Sequence, residues 1–466
     1  MVVNLQNLVT NRPAFYFYTF IQTNAMRKQF SLALLLLTIS FISLIAQQKQ
    51  QYLIKAGKLF DSETAQFKTG MIILVSGNII DTVKAEKELT ANDKKNYTLI
   101  DLSKFTVLPG LIDCHTHLLC KEILYPNNSV TGLDMNRSLV FDGDAYRALY
   151  GAARAKAYLE AGITAVQDLG NSGLFADVAL NRAITEGLLP GPRMRCSGPG
   201  LSTYGGQIPG TIFKHQDIVK DEYRIIKNPL DAADAVRENV TQGATVIKIF
   251  ANNTPNRTML TIDEIKAIVD EAHRYDIRVT AHATSNKSAY NAIMGGVDGI
   301  EHGYELHDST LELMAKKGVI LVPTDGDSLS LVQYFKQSGT GEVSPQMLSN
   351  YLRGAKDRMQ RAYKKGVIIA AGSDDYIDFK MPFAEPSKRT LIGYYESGIP
   401  IPAVLQFATF NAAKQLRWTR RIGTIKKGFY ADIIAVDNKI ETDISAILDV
   451  RFVMKDGKVV TNKLTL

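Results

Sequence analysis

The chain has 466 residues, 45% hydrophobic and 22% charged, with a formal charge of +7; that balance excludes a wholly disordered, collagen-like or coiled-coil chain. Three of the positive charges lie in the first 46 residues, so a chain starting after them carries +4, too dilute an excess for a nucleic-acid footprint. Three cysteines cannot form a disulfide framework.

Met26-Arg27-Lys28 leads into Ser31 to Ala46, sixteen residues without a charge, followed by Gln47-Gln48-Lys49. A basic start, a short apolar run and a small residue at its end make a secretory signal pattern. Residues 1–46 are therefore expected to be an export signal, with Met26 as the true start and a periplasmic or secreted product. Sixteen helical residues span ~24 Å, short of the ~30 Å bilayer core. No stable membrane span is expected after cleavage.

From Gln51 to Val107 the segments are short and strand-like, with turns expected at Gly57, Gly70 and Gly77-Asn78. Residues 431–437 and 450–461 repeat that texture, with a hairpin signal at Asp456-Gly457. Between them eight apolar runs alternate with helical stretches. The runs are VLPGLIDCHTHL and residues 163–170, 193–198, 245–252, 278–283, 298–303, 319–324 and 367–374. Helices are expected at 144–161, 231–242, 261–275, 308–317 and 346–365. Continuous apolar strands separated by helices indicate a parallel sheet, and eight repeats indicate an α/β chain built on a (β/α)8 TIM barrel. The expected organisation is a barrel over 108–417, with a small β-sandwich domain formed by 47–107 and 418–466.

Four of the seven histidines fall at expected strand ends. His115 and His117 are two apart, so on a strand both imidazoles face the same side, a spacing that suits two ligands on one metal. His282 ends the fifth strand, His302 the sixth, and Asp374 closes the eighth. Lys248 lies within the fourth, in VIKIF. In a barrel these six side chains converge on the face where barrel enzymes keep their active sites. Imidazole plus carboxylate suits Zn(II) and similar divalent ions. Lys248 is the misfit: beside cations and out of water its amine loses its proton more easily. A neutral amine reacts with carbon dioxide to give an anionic carbamate whose two oxygens can bridge two metals.

The set LPGLIDCHTHL, VIKIF, TAHA, GIEHG and GSD resembles the metal-dependent amidohydrolase superfamily, within it the relatives of imidazolonepropionase and the Xaa-Pro dipeptidase branch. The resemblance extends from Tyr52 to the end and includes GTIKKGFYADIIAVD. It implies that His115, His117 and Asp374 hold one metal, that His282 and His302 hold the other, and that carbamylated Lys248 bridges them. Imidazolonepropionases generally lack this lysine, so its presence points to the two-metal, dipeptidase-like branch. The implied reaction is hydrolysis of an amide C–N bond in a small peptide or N-acyl amino acid by a metal-bridging hydroxide, with Asp374 moving the proton.

Substrate contacts are sought near strand ends, at Arg195, Tyr204, Gln207, Asn252, Arg257 and Tyr304. An arginine there would grip a substrate carboxylate bidentately. Relatives often have Gly-Gly-His where this chain has Gly205-Gly206-Gln207. Two other functions fit the same motifs: hydrolysis of a cyclic amide, lactone or ester, and a catalytically silent binding relative. A small-molecule substrate and a homo-oligomer are expected, and no nucleic acid.

Overall fold

A computed structural model describes residues 50–124, 133–208, 213–254, 256–338 and 344–464. The expected signal region, 1–46, lies outside the described residues. Among these residues no helix is long and apolar enough to cross a membrane.

Both ends of the chain build one mixed sheet. It contains β1 (Gln51–Asp61), β2 (Gln66–Ser76), β3 (Ile79–Ala85) and β4 (Thr98–Pro109). In the order β16-β15-β14-β4-β1-β2-β3, strands from the other end of the chain complete it: β14 (Ile433–Asp437), β15 (Phe452–Lys455) and β16 (Lys458–Asn462). Period-two alternation sorts its side chains onto two apolar faces. Val107, Ile433 and Ala435 join one cluster, while Leu108, Ile434 and Val436 join the main core. The expected sandwich segments thus share a single sheet, because β4 pairs β1 on one side and β14 on the other.

The turn signals divide. Gly77-Asn78 links β2 to β3, and Asp456-Gly457 links β15 to β16 with φ of 52° and 68°. Two positive φ values are what a type I′ hairpin turn requires. Gly57 and Gly70, by contrast, lie inside strands. Gly57 marks an irregularity where β1 meets β4, and a Cβ there would stand 2.3 Å from the Ser103 carbonyl oxygen.

Parallel strands follow: β5 (Leu111–Thr116), β6 (Ile163–Asp168) and β7 (Arg193–Cys196) form a three-stranded sheet. A second sheet, ordered β13-β12-β11-β10-β8-β9, holds β8 (Gly200–Ser202), β9 (Tyr223–Ile225), β10 (Ile247–Phe250), β11 (Val279–Ala283), β12 (Gly299–His302) and β13 (Ile320–Val322). Every residue of β5, β6, β10, β11 and β12 is buried, the pattern of strands covered on both faces. Each expected helix is present, its ends within two residues of expectation: Gly143–Glu160, Pro229–Thr241, Ile262–Arg274, Asp308–Lys317 and Pro345–Lys364. Their starts are written locally: Thr261 and Glu264 close a capping box, and the Asn228 carboxamide accepts from Leu230 and Asp231 N–H.

The eighth expected strand, 367–374, is not one. It is held by single bridges, Leu321 with Ile369 and Thr116 with Asp375, and by Cys114 N–H on the Ala371 carbonyl. Its end turns away from strand geometry at Asp374, whose φ is 55°. The third expected strand, 193–198, stops at Cys196, and Gly198 at φ 61° separates it from β8.

Candidate metal centre

The ends of the parallel strands bring six side chains together. His115 is the penultimate residue of β5 with His117 just beyond the strand, and their Nε2 atoms lie 3.2 Å apart. Asp374 Oδ1 is 3.0 Å from His117 Nε2 and 3.3 Å from His115 Nε2. Lys248 Nζ, 1% exposed, lies 3.3 Å from His115 Nε2. The His302 ring lies 5.1 Å from that of His115 and edge-on 4.6 Å from that of His282, and its Nδ1 is 3.9 Å from Asp374 Oδ2.

Hydrogen bonds settle which way the nitrogens face. His117 Nδ1 lies 2.9 Å from the Gly170 carbonyl oxygen, which can only accept, so Nδ1 carries the proton. Neutral His117 then turns a bare Nε2 lone pair toward Asp374 and His115. Three acceptor atoms converging this way need a cation between them, a proton or a metal ion. His115, His117 and Asp374 can therefore hold a metal ion, and their donor set suits a divalent one.

The electrostatics agree at three of the four histidines. Burial holds His115, His282 and His302 well below the usual imidazole range, which keeps their lone pairs free. Burial works the same way on His117, but the Asp374 carboxylate outweighs it and raises that pKa. Burial lowers Lys248 to about 8, against the pull of Glu301 and Asp374. Strain concentrates here as well: His302, Thr324 and Asp374 adopt φ of 70°, 60° and 55°. Left-handed backbone at non-glycine residues is costly and gathers at functional sites.

A residue that the sequence reading passed over completes the centre. Glu301, fully buried, sets Oε2 2.7 Å from His115 Nδ1 and accepts from Thr280 Oγ1 through its other oxygen. A carboxylate behind a metal-ligating imidazole orients the ring and strengthens it as a ligand. Its adjacency to His302 in GIEHG was the available signal. Strand alternation hid it by assigning neighbours to opposite faces.

A cavity of about 450 Å³ opens over the six residues. Gln207 and Tyr304 line it, as do Tyr223, Phe250, Tyr376 and Glu122. Gln207 Nε2 lies 2.9 Å from His282 Nε2, and the Tyr304 hydroxyl 3.3 Å from His302 Nδ1. The other proposed substrate contacts do not line this cavity among the described residues. Arg195 is turned to Trp418, 4.3 Å from its ring, and donates to the Leu416 carbonyl. Arg257 is exposed, and Tyr204 is 64% exposed. The Asn252 carboxamide is spent on Thr284, which it contacts through both ends. Neither arginine is placed to grip a substrate in the cavity.

Comparison with known proteins follows the same lines. The amidohydrolase family profile matches residues 106–460. Ochratoxinase of Aspergillus niger is 28% identical over 444 residues, covering 87% of this chain and 86% of that protein. Imidazolonepropionase of Thermoanaerobacter pseudethanolicus is 25% identical over 178 residues, 38% of each chain. A crystal structure of a Xaa-Pro dipeptidase with methionine bound in its active site superposes with a TM-score of 0.73 at 29% identity, covering 88% of this chain and 99% of that one. These likenesses give the chain a TIM-barrel-like α/β fold.

Proposed function

The chain belongs to the amidohydrolase family and is a hydrolase of amide carbon–nitrogen bonds; from that premise we propose that it is an exported, two-metal enzyme acting on a small peptide, such as a Xaa-Pro dipeptide, or on an N-acyl amino acid. His115, His117 and Asp374 would hold one divalent ion, zinc by the character of the ligands, and His282 and His302 the second. Lys248 would sit between them as a carbamate: neutral Nζ bonds to the carbon of carbon dioxide and releases a proton. Divalent ions so held supply a water nucleophile at neutral pH and an acid for the substrate carbonyl.

The remaining work falls to the protein. Asp374 takes the proton of the attacking water and delivers it to the leaving nitrogen. Glu301 fixes the His115 ring. Phe250, Tyr223, Tyr304 and Tyr376 wall the substrate from bulk water. The names of two relatives, ochratoxinase and Xaa-Pro dipeptidase, support the substrate class. The bridges that seat residues 367–375 between β13 and β5 support one closed (β/α)8 barrel, with the seven-stranded sheet as a small domain. Export rests on the charge-flanked apolar run Ser31 to Ala46.

The observation that carries the reading is the position of His117 Nε2, 3.0 Å from Asp374 Oδ1 and turned there by the Nδ1 bond to Gly170. Metal analysis and a panel of Xaa-Pro dipeptides, N-acyl amino acids and lactones test it. About two ions per chain are expected, with amide turnover that chelation abolishes. Asp374→Asn should keep most of its metal and lose turnover. A metal-free active protein, or turnover of lactones alone, would refute the assignment.

A further inference from the structure

A second and larger cavity, about 1090 Å³, lies at the opposite end of the parallel strands and takes no part in the chemistry above. Several of its wall residues open or precede the parallel strands. Arg193 opens β7, Thr245 precedes β10 and Asp276 precedes β11, while Arg195 reaches it from within β7. Segment 417–422 closes it.

Seven of the side chains around this cleft are cationic and two are acidic. Arg193 pairs with Asp432 and Asp456, and Lys455 with Asp456. The other five, Arg195, Lys414, Arg417, Arg420 and Arg421, form no ion pair with a carboxylate among the described residues. Collecting like charges around one concavity is unfavourable unless an opposite charge joins them. Burial, and then Arg417, hold Arg195 below the ordinary guanidinium range. Arg195 is nonetheless fixed there, its plane over Trp418 and its Nε on the Leu416 carbonyl.

A second observation is independent of charge. An adjoining cavity of about 140 Å³ shares Arg195 and Arg417 with the cleft. Arg278 Nε and Gln415 Nε2 belong to its lining residues, and both are buried donors without an acceptor among the described residues. Buried donors without partners are rare and costly, so the floor beside the cleft is itself short of acceptors.

We propose that this cleft binds a compact polyanion carrying two or more phosphate groups, at a site separate from the metal centre. Several arginines spread over a cavity of this size match more than one tetrahedral anion, and the planar guanidinium fork suits phosphate oxygens.

Trp418 is the only tryptophan in the chain and forms part of the wall, so its emission reports occupancy. The test titrates the purified, metal-loaded chain with inorganic pyrophosphate at fixed ionic strength, read by tryptophan emission and by calorimetry. A saturable change is expected in both. Arg417→Ala with Arg420→Ala, both exposed positions, should weaken binding about tenfold or more while amide hydrolysis is unchanged. Pyrophosphate also chelates divalent ions, so the titration is repeated on His117→Ala, in which the response should persist. No saturable heat, equal binding by the double variant, or loss of the response in His117→Ala would each overturn the proposal. So would charge-dependent self-association of the chain in sedimentation, which would assign the cleft to a second copy.

Discussion

Glu301 shows how much of the centre depends on a side chain that touches no substrate. Its contact with His115 Nδ1 fixes that ring, and burial raises its own pKa to about 7. Glu301→Gln should therefore weaken metal affinity about 10–100-fold with the fold intact, measured by competition with a chelator. Asp177 is a buried carboxyl of another kind. It lies in the first turn of helix Ala176–Thr185, where burial, and then Asp168, raise its pKa from 3.8 to about 7. The folded chain thus keeps a proton that the unfolded chain releases between those values. The stabilisation from this group is complete at low pH and is lost as pH rises toward 7. Asp177→Asn should flatten the fall in melting temperature over that window; parallel profiles for both proteins would reject the assignment.

The histidines were legible because strand-end position and two-residue spacing are local facts of the sequence. Glu301, and the Gly170 carbonyl that sets the His117 tautomer, were not, because each acts across strands far apart in the chain. Arg195 misled for a related reason. β7 is four residues long, so a residue in it is near both ends, and nothing in the order of residues says which mouth its side chain serves.

At the scale of elements, composition marked the helices better than the turns. Thr261 with Glu264, and Asn228 before Pro229, announce their helices in adjacent residues. A glycine announces only that no side chain is present. Gly57 permits a close backbone approach, Gly70 a positive φ within a strand, and Gly457 both. A Cβ on Gly457 would stand 1.7 Å from the Gly77 carbonyl oxygen, whereas one on Gly70 meets nothing within 4 Å. Gly457→Ala should cost about 3 kcal/mol through clash and strain together. Gly70→Ala should cost about 1 kcal/mol through strain alone. Thermal unfolding of the pair separates the two, and equal losses would contradict the packing described at the β15–β16 turn.

At the scale of the molecule, the alternation of strands and helices made the parallel architecture legible. The mixed sheet was legible only as texture at two ends, because its pairing joins residues far apart in sequence. β14 pairs β4, and Ile434, Val436 and Val453 pack into the main core together with Leu108. A chain ending at Asp432 loses all three C-terminal strands. It should be recovered unfolded or insoluble, as judged by circular dichroism and sedimentation. A soluble, cooperatively melting product would show that the sheet is not needed.

The same pairing sets a timetable for biosynthesis. β4 leaves the ribosome about 320 residues before its partner β14, a delay of roughly 15–65 s at ordinary elongation rates. Throughout that interval the nascent chain carries an unzipped edge that only its own last-made segment can close.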